Sequence, residues 1–299
     1  MKMKPIRLSF VALILTTRVF AQADTLIQAD SLIRADTLIQ ADTLTAGVSQ
    51  WNKAPVTPTN AGESRRILTG ATRDLTSLDI LALTLNAGQS APQPREAPPH
   101  ESPSSPREVE YSDQLLIVKD GILSLTTVNA SKQLGPGGVA LFAAGTRPGL
   151  KNTGTTPVTY YLFRFISRSS RPIRSSPTEG NGDQARQAGA PVMIDWPEME
   201  MKPTNKGETR QIFDRPVFWL GKINLHATTL NPGEVSHPPH THRAEEIILM
   251  RSGHVQEYID GHHYPASGGD LIFLPSGSLH AVENKSSERC EYFALQWQL

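Results

Sequence analysis

The chain has 299 residues, enough for one large domain or two of ordinary size, each able to bury a core. Lys plus Arg and Asp plus Glu both number 29, so the formal net charge is zero, and no basic stripe is present to track a phosphate backbone. Nucleic acid is therefore excluded as an expected partner, and the single cysteine, Cys290, excludes an internal disulfide and reads as a small core residue.

Residues 1–23, "MKMKPIRLSFVALILTTRVFAQA", set Lys2, Lys4 and Arg7 before an apolar run from Leu8 to Leu15, with Ala21 and Ala23 following. This is the order of a secretory signal peptide, which predicts an extracytoplasmic protein, periplasmic or secreted. The apolar run is too short to span a bilayer and no other segment approaches the length, so no stable membrane insertion of the mature chain is expected. Residues 24–48 follow as a hexad repeat, "ADTLIQ" and "ADSLIR", whose period fits neither a heptad nor a helical stripe. They read as a low-complexity tether.

The remainder lies on itself. "PTNAGESRRIL" from Pro58 returns as "PTNKGETRQIF" from Pro203, and "LTLNAGQ" from Leu83 as "TTLNPGE" from Thr228, both at an offset of 145. Downstream, "LIVKDG" ending at Gly121 matches "LMRSG" ending at Gly253, and "YYLFRF" from Tyr160 matches "YFALQW" from Tyr292, at an offset of 132. The difference of 13 is an insertion in the first copy, in the Pro- and Ser-rich "QSAPQPREAPPHESPSSPRE". Two copies of one domain result, at 49–167 and 191–299, with a polar linker at 168–190. In each copy short apolar or alternating runs such as "KINLHATTL", "DLIFL" and "EYFALQW" are separated by Pro, Gly and Asn turns. The prediction is all-β, a sandwich or small barrel per copy.

Three histidines, His237, His240 and His242, fall within six residues of the second copy. Residues two apart in a strand face one side, so His240 and His242 can aim at a common point. Glu246 follows on an adjacent strand, and His280 lies further on in "GGDLIFLPSGSLHAVEN". Three imidazoles and a carboxylate make a ligand set for one divalent first-row metal, with open positions left for water or substrate.

The spacing resembles the cupin superfamily. Gly233, His240-Thr-His242, Glu246 and Gly253 follow its first motif, with one residue more than usual before His240; Gly269, Pro275, Gly277, His280 and Asn284 follow the second without a gap. The resemblance implies two tandem double-stranded β-helix (jelly-roll) barrels, a bicupin, with His240, His242, Glu246 and His280 as metal ligands and Glu246 also as a catalytic base. The metal would be Fe, Mn, Ni, Cu or Zn. Glu245 competes with Glu246, and the spacing to Gly253 selects Glu246. Pro275 and Gly277 make the turn that aims His280, and Asn284 reads as a turn or supporting residue. His237 reads as a loop residue at the barrel mouth or a spare ligand, His226 as facing cavity or core, and His254, His262 and His263 as solvent-facing.

At the offset of 132 the four ligand positions of the first copy hold Glu108, Glu110, Gln114 and Pro148. Proline cannot ligate a metal and Gln114 is a poor substitute for a carboxylate, so one metal per chain is expected, in the C-terminal barrel; a Glu108/Glu110 site for a harder cation is the alternative. Asn152 and Gly145 persist where they serve the turn. The resemblance implies a metal-dependent enzyme acting on a small organic molecule, a quercetinase-type dioxygenase by elimination. The rivals are a non-catalytic binding bicupin and a metal-dependent lyase or isomerase. Trp219, Phe273, Phe293 and Trp297 are candidate pocket residues, and free sheet edges predict pairing into a homodimer.

Overall fold

The computed structural model describes residues 42–91, 112–169 and 190–299, all within one compact unit, Ala41–Leu299. The leader, the hexad repeat up to residue 41, most of the Pro-rich insertion with Glu108 and Glu110, and most of the linker lie outside the described residues.

Both halves are built almost wholly of strands. The first contributes β1 (Gly47–Ser49), β2 (Val56–Thr59), β3 (Gly62–Gly70), β4 (Leu75–Leu85), β5 (Ser112–Asp120), β6 (Leu123–Thr126), β7 (Ser131–Leu134), β8 (Val139–Phe142), β9 (Gly149–Asn152) and β10 (Val158–Ser167). The second repeats the series as β11 (Val192–Ile194), β12 (Lys202–Thr204), β13 (Gly207–Arg215), β14 (Lys222–Leu230), β15 (Glu245–Ser252), β16 (His254–Ile259), β17 (His262–Ser267), β18 (Leu271–Leu274), β19 (His280–Glu283) and β20 (Cys290–Gln298). Each half folds into a jelly-roll barrel: a seven-stranded antiparallel sheet faces a three-stranded one, β17-β16-β19 in the second half and β7-β6-β9 in the first.

The large sheets are not made from one half each. Their orders are β1-β18-β15-β20-β14-β13-β12 and β11-β8-β5-β10-β4-β3-β2. β1 thus leaves its own half to pair with β18, Gly47 opposite Phe273, and β11 pairs with β8, Val192 opposite Leu141. The exchange is reciprocal, and it covers one sheet edge in each barrel. Ordered structure therefore begins before residue 49, where the sequence placed the end of the tether: Thr43 already bridges to Ala71, and residues 47–49 form a strand of the second barrel. The hexad pattern gives no sign of this, because a three-residue edge strand needs a partner edge to exist.

A tryptophan follows each exchanged strand. Trp51 donates its backbone N–H to Asp270 Oδ1 at 2.8 Å and meets Tyr161 edge-on at 5.7 Å between ring centroids, with Arg65 and Lys119 over its face. Trp196 repeats the arrangement with Phe293, Arg210 and Arg251. Cations over indole faces add to the apolar contact.

Alternation along the strands assigns three apolar clusters. Ile248 and Met250 of β15 face the interior of the second barrel, whereas Ile247 and Leu249 join Leu115, Ile117, Phe163 and Phe165 in a core between the barrels. Strands buried on both faces carry continuous apolar runs, which accounts for "IILM" and "LLIV". Trp297, Phe273 and Phe293 belong to this inter-barrel core, not to a pocket, and Trp219 is buried beside Phe218 with its backbone N–H on Asp113 Oδ2.

Two motif residues act on the backbone. Gly253 has φ +75°, and a Cβ there would stand 2.7 Å from the Arg289 carbonyl oxygen, so only glycine fits. Asn284 is fully buried; its Nδ2 donates to the carbonyls of Leu230, Asn231 and Glu288 while its Oδ1 accepts from the Ser286 backbone. Asn152 does the same in the first barrel, on Leu85, Thr156 and Gly154. Both are turn clamps.

Candidate metal centre

The segment "GEVSHPPH" has too many prolines for a regular strand, yet it is laced along β19. Gly233 N–H donates to the Asn284 carbonyl, Asn284 N–H to that of Glu234, and Ser236 N–H to that of Val282. His240 and His280 then exchange backbone hydrogen bonds, at 3.2 and 3.0 Å. The pairing puts two histidines 40 positions apart side by side, with ring centroids 4.7 Å apart. The Gly277 N–H donates to the His242 carbonyl, tying the turn before His280 to the same segment.

The donor nitrogens of His240, His242 and His280 lie within 4.8 Å of one another. His242 holds Nδ1 2.8 Å from the Ala244 carbonyl, and His280 holds its own 2.9 Å from that of Ser278. A carbonyl only accepts, so Nδ1 carries a hydrogen in both rings, and in the neutral form of each ring the lone pair is on the inward-facing Nε2. Glu246 Oε2 stands 2.9 Å from His242 Nε2 and 3.2 Å from His280 Nε2, the latter without the alignment of a hydrogen bond. Separations near 3 Å are those of two atoms each about 2.1 Å from one ion at a right angle. His280 Nε2 and His240 Nδ1 are buried with no hydrogen-bond partner among the described residues. The donor set and its orphaned nitrogens fit a divalent first-row metal.

Electrostatics agree with this fit. Burial pushes the Glu246 carboxyl up, but the adjacent His242 and His280 reverse the sign and hold it at about 2. Burial, then the neighbouring imidazoles, lowers His240 and His237, and burial lowers His226. Neutral imidazoles and an ionised carboxylate are the protonation states that ligation requires. His242 alone is raised, by its hydrogen bond to Glu246.

A cavity of about 440 Å³ opens onto the cluster, a size suited to a small molecule. His237 lines it and lies 4.1 Å from His240 between ring centroids, so it joins the group instead of pointing away. His226 also faces the cavity, while His254, His262 and His263 are exposed in the β16–β17 hairpin. Glu245 points to the opposite side of β15 and has no part in the site. Sequence reasoning missed Gln296, which is cross-strand from Glu246 with Nε2 3.4 Å from His242 Nε2, and Lys206, whose Nζ donates to the Val235 and Ser236 carbonyls beneath the histidine segment. Period-two counting along β20 (Tyr292, Ala294, Gln296) would have found Gln296; nothing local marks Lys206. In the first barrel Gln114 and Pro148 line the corresponding cavity, and Asn152 keeps its turn.

Residues 227–295 match the cupin domain family. Among solved structures, an oxalate decarboxylase of Lactobacillus farciminis in complex with formate superposes with a TM-score of 0.62 at 12% identity, covering 85% of this chain and 87% of that one. Oxalate decarboxylase of Bacillus subtilis gives 0.60 at 14%, covering 86% and 79%, and protein Ylba of E. coli 0.60 at 17%, covering 88% and 96%. Comparison with curated protein sequences gave no match. The match to the cupin domain family thus lies within the second barrel, and the likeness to these solved structures is one of fold, two tandem jelly-roll barrels.

Proposed function

We propose that this protein is a metal-dependent enzyme acting on a small polar organic molecule at the C-terminal barrel, with His240, His242, Glu246 and His280 as metal ligands and a quercetinase-type dioxygenation as its reaction. The observation that carries the reading is the convergence of three imidazoles and one carboxylate at a 440 Å³ cavity, with two ring nitrogens freed for ligation by backbone carbonyls. A bound divalent metal would supply Lewis acidity and, if redox-active, electron transfer to dioxygen. The chain's own contributions are positional. Glu246 Oε2 is the group able to take a proton from a substrate hydroxyl entering beside it, and Gln296 Nε2 is a donor for a substrate oxygen. Lys206 pins the segment that carries His237 and His240. The leader-like N-terminus extends the proposal to an extracytoplasmic site of action.

One observation favours a second reading, non-redox cleavage of a small carboxylic acid. The cavity is lined by Glu208, Thr209, Thr228 and Lys206 as well as by Leu230, Ile248, Val282 and Tyr292, and the polar members of this mixed wall suit a hydrophilic acid. Structural likeness to the oxalate decarboxylases, including the B. subtilis enzyme with its Mn(II) centres, points the same way. The test is metal analysis of the full chain beside a His240→Ala/His280→Ala variant, followed by oxygen-uptake and carbon dioxide-release assays. About one equivalent of metal, lost in the variant, with oxygen uptake on flavonols or diketones is the expected result. Carbon dioxide release without oxygen uptake would replace the dioxygenase by the lyase, and failure to take up metal would overturn both.

A further inference from the structure

The first barrel has a cavity of its own, about 220 Å³, in the place where the second barrel carries the histidine cluster. That volume would hold roughly seven waters at about 30 Å³ each. Its wall follows from strand register. On β10, Tyr160, Leu162 and Arg164 share one face; Tyr160 stands opposite Leu83 and Val118, Leu162 opposite Leu81 and Leu116, and Arg164 opposite Asp79 and Gln114, and of these partners Leu81, Leu83, Leu116 and Gln114 line the cavity. Leucine is the commonest residue of this wall, which also includes Phe142, Thr146 and Arg147. Three polar atoms interrupt it: Gln114 Nε2, Tyr160 Oη and Arg164 Nε are each buried without a hydrogen-bond partner among the described residues. Gln114 is 7% exposed and Tyr160 0%. Two of these three atoms can only donate, and the tyrosine hydroxyl can. Unmatched buried donors are costly, which calls for an acceptor brought by a ligand.

Comparison of the two barrels sharpens the chemistry. At offsets of 132 and 145, Glu246, Gln296, His226 and His280 of the second barrel correspond to Gln114, Arg164, Leu81 and Pro148 of the first. One position loses an anion and its cross-strand neighbour gains a cation, while His226 and His280 give way to Leu81 and Pro148; His240 and His242 correspond to Glu108 and Glu110, outside the described residues. The Arg164 guanidinium is only loosely compensated, Nη1 lying 3.5 Å from Asp79 Oδ2. Tyr160 is held protonated by burial, which outweighs the adjacent Arg164.

We propose that the N-terminal barrel is a second binding site, free of metal, for a small monocarboxylate with an apolar body: the leucine wall takes the body, and Gln114, Tyr160 and Arg164 donate to the carboxylate. This does not depend on the activity proposed for the other barrel.

Benzoate is a suitable probe, titrated by calorimetry into the chelator-treated full chain carrying His240→Ala/His280→Ala, so that the metal centre cannot take it. Binding of order millimolar is expected for so small a ligand. Arg164→Met and Tyr160→Phe, each added to that background, should weaken benzoate by about tenfold, the scale of one charge-assisted hydrogen bond, and leave benzyl alcohol unchanged. Leu83→Phe should abolish binding of both by filling the cavity. Circular dichroism on each variant shows whether it is folded, and either polar variant alone suffices. No benzoate binding at about tenfold above that millimolar range, binding unaffected by both polar variants, or binding present only with the histidines intact would each overturn the proposal.

Discussion

The indole of Trp297 donates to Glu245 Oε2 at 3.0 Å, within a buried network that joins the two halves of the chain. Glu245 also accepts from Thr72 Oγ1 at 2.7 Å and from the backbone N–H groups of Arg73 and Asp74 at 3.0 and 3.2 Å. Its neighbour Glu246, one residue on along β15, points into the second barrel instead. Two adjacent glutamates thus serve the barrel junction and the histidine cluster separately.

Substitution should separate the two roles. Glu245→Ala strands four buried donors and is expected to destabilise the fold by about 3 kcal/mol or more, read as a lower urea midpoint, with the metal still bound in whatever fraction remains folded. Glu246→Gln is expected to lower metal content several-fold at little change in midpoint, because a neutral amide is a weaker ligand. Equal loss of metal in both variants at full folding would contradict the assignment.

The exchanged strands predict coupling between the barrels. Deleting residues 42–50 removes the strand beside β18, and Trp51→Ala removes the ring that packs on Tyr161 and Gly269. Trp51→Ala should cost about 3 kcal/mol, in the range for large aromatic truncation. Hydrogen exchange should quicken in β18 of the second barrel after the deletion, although every deleted residue belongs to the first half of the chain. Quickening confined to the first barrel would refute the exchange.

Glu257 supplies a pH test. It is fully buried between Val255 and Ile259 in the apolar cluster of the second barrel, and neither carboxylate oxygen has a partner among the described residues. Burial, then the charge of Glu246, raises its pKa well above the ordinary 4.5. A raised folded pKa means that the folded state binds more protons than the unfolded one above pH 4.5, so stability falls as pH rises through the window up to the folded value. Glu257→Leu should therefore stabilise by about 1–3 kcal/mol at pH 8, the penalty for a buried unpaired polar group, and by much less at pH 5. An equal gain at both pH values in urea titrations would show that ionisation is not involved.

Much of this architecture could be read before any coordinates. The internal repeat predicted two like domains, and the twenty strands of the described residues fall into two matching series of ten. The motif spacing singled out His240, His242, Glu246 and His280, whose donor atoms lie close together, because glycine, proline and histidine positions are local constraints on turns and strand faces. The exchange of β1 and β11 was not legible, since an edge strand of three residues has no periodicity of its own and is defined by the edge that it pairs with. Nor was the fate of the aromatics: Phe273, Phe293 and Trp297 alternate along their strands just as pocket residues would, and only the packing of a second barrel against that face makes them core.

What the sequence determined by itself was the strand content, the duplication and the histidine cluster, all of which follow from residue chemistry and short-range spacing. What the tertiary structure decided was which side of each strand is inside. That choice needed both barrels in contact, and it alone separates Glu245 from Glu246, brings His237 and Gln296 to the histidine cluster, and gives the first barrel a cavity whose donors are unmatched among the described residues in place of that cluster.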